Sequence, residues 1–132
     1  MSDDCDEVLF KGDYYQIYIC AGGHESLRLA VSKVAPTAKR TKIVRWLYRD
    51  IEALANHGST GLPLGSLATE AQLPSGSHFY ALKRAPIRAY FWKSDTPRNL
   101  YISHFAYKDQ QKLKAKDKNK LIKNWKRVER NG

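Results

Sequence analysis

The chain has 132 residues, with 23 Lys and Arg against 13 Asp and Glu, a formal net charge of +10. That length favours one domain over two, and 42% hydrophobic with 11% aromatic residues exclude wholesale disorder. No apolar run approaches the ~20 residues that span a bilayer. The acidic start Met1-Ser2-Asp3-Asp4 lacks the apolar core of a signal peptide, and the two cysteines, Cys5 and Cys20, have no CxxC spacing and make no disulfide framework. The expected compartment is a reducing cytoplasm, with no membrane partner.

Residues 1–12 are acidic and read as a flexible terminus, which leaves 13–132 as one domain. Asp13–Cys20 is rich in aromatic and β-branched side chains, so a strand is expected there, broken by Ala21-Gly22-Gly23. Residues 25–34 fit two patterns. Leu27, Leu29 and Val31 alternate as in a strand, whereas Leu27, Ala30, Val31 and Val34 follow helical spacing. Helix is preferred because a helical hairpin then becomes possible. Residues 37–57 form the clearest helix: Ile43, Leu47, Ile51 and Leu54 share one face, Lys39, Arg40, Lys42, Arg45 and Arg49 lie on or near the other, and His57-Gly58 marks the stop.

Residues 58–76 contain four Gly and two Pro and read as loop, with at most a short extended piece near Leu64–Leu67. Three strands are expected next, Ser77–Arg84, Ile87–Lys93 and Asn99–Ala106, joined closely enough to make an antiparallel meander. Lys108–Arg130 has no Gly or Pro and is expected as a long basic helix, with a narrow apolar stripe of Leu121, Trp125 and Val128. Residues 107–132 carry +7 of the +10. A tail of that charge attracts polyanions without sequence preference, although a solvated helix face has the same composition. The order of elements makes the fold class α+β.

No metal-ligand spacing joins His24, His57, His78 and His104, and no phosphate-binding glycine motif occurs; no cofactor is expected. The informative stretch is the meander, where cations and aromatics interleave: Lys83, Arg84, Arg88, Tyr90, Trp92, Lys93, Arg98, Tyr101, His104, Tyr107 and Lys108. Cations hold phosphates and rings stack on unpaired bases, a mixture suited to RNA. Metal-free phosphodiester cleavage needs a proton acceptor, a proton donor and cations for the developing charge. His104 or a Tyr suits the proton transfers, and Lys83, Arg88 and Lys108 suit the charge. Each has a structural alternative: His104 ends an apolar strand and can be a hydrogen-bonded core histidine, and Tyr90 and Trp92 can be packing.

Three stretches resemble the RelE/HigB/ParE toxin superfamily, in particular its phage-derived, HigB-like branch. Ala35–Gly58 ends in Leu54-Ala55-x-His57-Gly58 and leads to Leu62-Pro63. Phe79-Tyr80-Ala81-Leu82-Lys83 and Ile87-Arg88-Ala89-Tyr90-Phe91 are similar to two consecutive strands of that family. Ile102-Ser103-His104-Phe105 with Lys108 looks like its His-Gly-Phe-x-Lys-Lys end of the sheet. The resemblance implies a small RelE-like fold, an antiparallel sheet packed by the N-terminal helical hairpin. It implies the toxin of a toxin–antitoxin pair that cleaves mRNA on the ribosome without a metal and is neutralised by a cognate antitoxin, expected to be a helix-turn-helix protein. Mapped on this chain, the catalytic candidates are Lys83, Arg88, His104, Tyr107 and Lys108, and the RNA-binding candidates are Arg84, Tyr90, Lys93, Arg98 and Lys112. Ala81 replaces a charged residue common in the family, and no clear counterpart of its catalytic Tyr is found. A non-catalytic nucleic-acid-binding regulator of phage or prophage origin and a ParE-like inhibitor of a protein target are the alternatives.

Overall fold

The computed structural model describes residues 5–63, 65–108 and 113–130. The strands are β1 (Glu7–Lys11), β2 (Gln16–Ile19), β3 (Leu67–Gln72), β4 (His78–Arg84), β5 (Ile87–Lys93) and β6 (Asn99–Tyr107), and the helices are α1 (Gly23–Val31), α2 (Lys39–His57) and α3 (Ala115–Trp125). The α+β class holds. All six strands form one sheet in the order β1-β2-β6-β5-β4-β3. Among the described residues no helix is long and apolar enough to cross a membrane.

The meander β4-β5-β6 lies where its alternation places it, and both hairpin partners are antiparallel. The sheet as a whole is mixed rather than antiparallel, because β2 runs parallel to β6 through Gln16↔Asn99 to Ile19↔Ile102. Two further strands correct the sequence reading. Glu7–Lys11, inside the stretch read as flexible, pairs with β2 as an edge strand; residues 1–4 lie outside the described residues. Leu67–Gln72, inside the stretch read as loop, is β3 and pairs with β4. Both strands contain a register shift, which breaks the period-2 alternation that marks a strand.

Ile17, Ile19, Leu82, Ala89, Phe91, Leu100 and Ile102 turn one sheet face toward α1 and α2, where Leu27, Ala30, Ile43, Leu47, Ile51 and Leu54 close the main core. The ambiguous segment after β2 is therefore helical. Gly22 turns the chain with φ 82°, and Gly23 lies so near Ile19 that a Cβ would meet its Cγ1 at 2.3 Å. β2 ends at Ile19, so β6 beyond Ile102 has no strand on that side. There α1 covers the edge, and Ser26 Oγ accepts the Phe105 N–H at 2.9 Å. This satisfies a strand amide that would otherwise be an unpaired edge donor.

The other sheet face packs on α3. Leu121 and Trp125 are buried against Phe79, Ala81, Tyr90 and Trp92. The C-terminal helix is shorter than expected: it starts at Ala115 and gives way to a π-helical turn at Lys126–Arg130. Lys108 is not helical; its N–H bonds Pro86 O at 2.7 Å, prolonging β6 beside the β4–β5 turn. The physical reason lies in the apolar stripe: Leu113 packs on this core ahead of the helix, and between it and Leu121 no large apolar side chain is available to dock; residues 109–112 lie outside the described residues. The terminal turn is fixed instead by charge. Glu129 accepts hydrogen bonds from Trp92 Nε1 (2.7 Å), Ser94 Oγ (3.0 Å) and the Asp95 N–H (3.2 Å). Arg127 forms a two-pronged pair with Asp6 at 2.6 and 2.8 Å.

Candidate nucleic-acid interface

Two bulges decide which polar side chains reach the α3 face. In β6 the register passes from Tyr90↔His104 to Phe91↔Ile102, leaving Ser103 as an extra residue. Ser103 and His104, neighbours in sequence, can then both address α3, which a regular strand forbids. In β3 the register passes from Thr69↔Tyr80 to Ala71↔Phe79, leaving Glu70 as the extra residue. Its carboxylate reaches β5, where Arg88 Nη1 donates to Oε1 at 2.8 Å.

At this end of the sheet the structure brings together three of the catalytic candidates. Lys83 and Arg88 are paired across β4 and β5, and Lys108 leaves β6 next to them. Lys108 is only 7% exposed. Burial, and then the neighbouring Arg88 guanidinium, hold its ammonium below the usual lysine range despite Glu70 and Asp117 nearby. Arg88 is itself neutralised by Glu70, and both side chains are mostly buried. Tyr90 is fully buried. Its hydroxyl has Arg88 close by, yet among the described residues no hydrogen bond of good geometry satisfies it. Burial, with the carboxylates of Asp117 and Glu70, raises the phenol above its ordinary value.

His104 is 2% exposed and has both ring nitrogens engaged. Nδ1 is 2.7 Å from Ser103 Oγ, and Nε2 is 3.0 Å from Asp117 Oδ1 in the first turn of α3. Asn124 Nδ2 donates to Ser103 Oγ at 2.9 Å. These contacts assign the roles: the Ser103 hydroxyl donates to Nδ1 while accepting from Asn124, and the Nε2–H donates to the carboxylate. Burial lowers the imidazole below its ordinary value against the opposing pull of Asp117. Burial raises Asp117, but the His104 bond and nearby cations outweigh it and hold the carboxyl low. The arrangement is thus a neutral histidine bridging strand and helix, the structural alternative open at the sequence level. Ser103 is completely buried, so no substrate reaches its hydroxyl in this arrangement.

Beside this network runs a groove of about 460 Å³ between α1, the free edge of β6 and α3. His104 and Tyr107 form its floor, Leu29 and Lys33 one wall, and Lys116 and Lys120 the other. Lysines outnumber the acids Glu25 and Asp117 along it, so its field favours an anion.

The remaining candidates are dispersed. Arg84 faces α2, where Nε donates to Asp50 at 2.8 Å and the guanidinium lies 5.2 Å from the centre of the Trp46 ring. Lys93 stands over Tyr80, 5.7 Å from its ring centre. Arg98 adopts φ 67° in the turn before β6 and bonds Asp13 O at 3.3 Å. Tyr107 lines the groove but packs toward the α1 side. Lys112 lies outside the described residues. Trp92 packs between Tyr101 and α3 rather than facing solvent. The sequence reading missed Glu70, Ser103, Asp117 and Asn124. Two of them carried a signal: Glu70 is the one charged residue between 58 and 76, and Asp117 is an acid set among lysines. Among the described residues no group of three or more His, Cys, Asp or Glu is placed to hold a metal ion. Comparison with protein-family models and with curated proteins gives no match for this chain.

Proposed function

We propose that this protein is an RNA-directed toxin of the RelE/HigB kind, acting on mRNA at the ribosome as a metal-independent endonuclease and held in check by a cognate antitoxin. The observation that carries the reading is the convergence of Lys83, Arg88 and Lys108, distant in sequence, at one end of a sheet face that adjoins the lysine-lined groove. Lys116, Lys120 and Lys33 grip the backbone, releasing counterions. Arg88 exchanges the Glu70 carboxylate for a phosphate, a trade its planar fork suits. For His104 to take a proton from a 2′-hydroxyl, α3 has to move away with Asp117 and uncover the imidazole.

A second reading rests on that same burial. With His104 covered and Arg88 neutralised, the groove alone makes a non-catalytic RNA-binding module. Programmed ribosomes separate the two. Cutting of the mRNA in the presence of wild-type protein, abolished by His104→Ala in a variant shown to be folded by circular dichroism, supports the toxin. Salt-sensitive RNA binding with intact mRNA sinks the cleavage reading and leaves the binding module.

A further inference from the structure

On the opposite sheet face a cavity of about 430 Å³ opens between the β1–β2 turn, the end of α2 and strands β3 to β6. That volume falls within the ~300–1,000 Å³ of small-molecule sites. Its floor is apolar, made by Leu54, Phe91 and Leu100, and Tyr14, Tyr15 and Tyr80 supply aromatic walls. The rings hold one another in place: Tyr80 packs on Phe91 in a tilted pair with centres 5.7 Å apart, and Tyr14 meets Tyr15 edge-on at 4.7 Å. Gly58, with φ 67°, lets the chain turn against Tyr14, where a Cβ would stand 3.2 Å from the ring. Backbone conformation and close approach both call for glycine at this corner.

The polar groups around this apolar cup are few and unspent. His57, Ser59 and Thr69 line it, and among the described residues no hydrogen bond occupies their side chains or the Tyr80 hydroxyl. Among the described residues Lys93 is its one lysine or arginine, and it stands exposed at the Tyr80 ring. Among the described residues no carboxylate lines the cavity. A flat ring that stacks on tyrosine, edge donors and acceptors for hydroxyls, and one anion for one lysine describe a single ligand chemistry. We infer that this cavity binds a nucleoside monophosphate unit, its base against Tyr80 and Tyr15 and its phosphate at Lys93. The unit is either a free nucleotide or one unpaired residue of an RNA strand. The inference stands apart from the groove on the α3 side, and neither depends on the other.

The test is calorimetric titration of the full chain with adenosine 5′-monophosphate, adenosine, inorganic phosphate and a short single-stranded RNA. The monophosphate is expected to bind saturably, with adenosine about tenfold weaker for want of the charge-assisted contact. Lys93→Ala is expected to erase that difference, and Thr69→Trp, which fills the mouth from an exposed strand position, to abolish binding. Competition between the RNA and the monophosphate assigns the strand as the source; independent binding assigns the free nucleotide. Amide shifts of the wild-type protein confined to Tyr15, Tyr80 and Lys93 support the site even if Thr69→Trp fails to fold. No binding at millimolar monophosphate, equal binding of inorganic phosphate alone, or shifts confined to the α3 groove overturns it. Salt-sensitive RNA binding that survives Thr69→Trp keeps the groove reading alive whatever the cavity does.

Discussion

His104 Nε2 lies 3.0 Å from Asp117 Oδ1, and this single contact ties a central strand of the sheet to the first turn of α3. The histidine is nearly inaccessible and the aspartate is 5% exposed, so each would be an unsatisfied buried group without the other. Asp117→Ala leaves the Nε2–H without its acceptor and is expected to destabilise the fold by about 1–3 kcal/mol. Denaturant unfolding checks this, and a loss no larger than that of exposed Lys118→Ala removes the contact from the account of stability.

The same pair sets a pH dependence. The folded imidazole binds its proton less readily than the unfolded one, because burial outweighs Asp117, with Lys120 and Lys116 adding repulsion. Its contribution is therefore complete above the unfolded value, near pH ~6.5, and is lost as pH falls from there through the lower folded value. Asp117 is also shifted down, so its contribution fades in the same direction but at lower pH. The melting temperature is expected to fall on acidification from pH 7 to 5, and His104→Gln to flatten that slope. An unchanged slope in the variant assigns the dependence to other groups.

Arg88 and Glu70 make the second buried connection, at 2.8 Å. Arg88→Ala strands a mostly buried carboxylate, and the expected cost is about 3 kcal/mol or more. Glu70→Gln keeps the shape but leaves a mostly buried guanidinium beside Lys108 without its carboxylate, so stability is expected to fall by a comparable amount while the RNA affinity of the folded protein rises. Paired unfolding and RNA titrations on both variants test this. Weaker RNA binding by Glu70→Gln would show that Arg88 serves the fold alone.

The parts of the fold written as clean periodicity were legible. Ile43, Leu47, Ile51 and Leu54 repeat at helical spacing and lie buried in α2, and β5 alternates under α2 and α3 through Ile87, Ala89 and Phe91 against Tyr90 and Trp92. What was not legible sits where an extra residue breaks the period. The bulge at Glu70 made β3 look like loop, and the bulge at Ser103 hid that Ser103 and His104 share a direction. The clustering of Lys83 and Arg88 followed from the hairpin around Ala85-Pro86. The neutralisation of Arg88 did not, because its partner comes from a strand that alternation alone does not reveal. The Lys-rich segment after Tyr107 satisfies helix propensity throughout, but apart from Leu113 the large apolar residues that dock, Leu121, Ile122, Trp125 and Val128, lie in its second half.

The two thiols are expected to differ sharply. Cys20 is completely buried at the end of β2, and burial, followed by the Asp6 carboxylate, pushes its thiol up to about 12. Cys5 is exposed. Because the thiolate is the reactive form, native protein at pH 8 is expected to react rapidly with one equivalent of a disulfide reagent, at Cys5, and with a second only on unfolding. Peptide mapping after labelling identifies the site. Fast modification of Cys20 in the folded protein would mean that the packing of α3 over β2 opens readily.

The groove lysines bear on function through salt. Lys116 and Lys120 stand on α3 facing α1, and both are exposed. If each neutralises one phosphate of a single strand, replacing it by alanine lowers the slope of log affinity against log salt by about 0.7. The double variant Lys116→Ala/Lys120→Ala is then expected to bind RNA with a slope about 1.4 smaller than wild type, with thermal stability unchanged. Substitution of Lys39 and Lys42, which lie on α2, do not line the groove and have exposed side chains, provides the control for net charge alone. Equal loss of slope from either pair would mean that RNA responds to total charge and that the groove has no special hold on it.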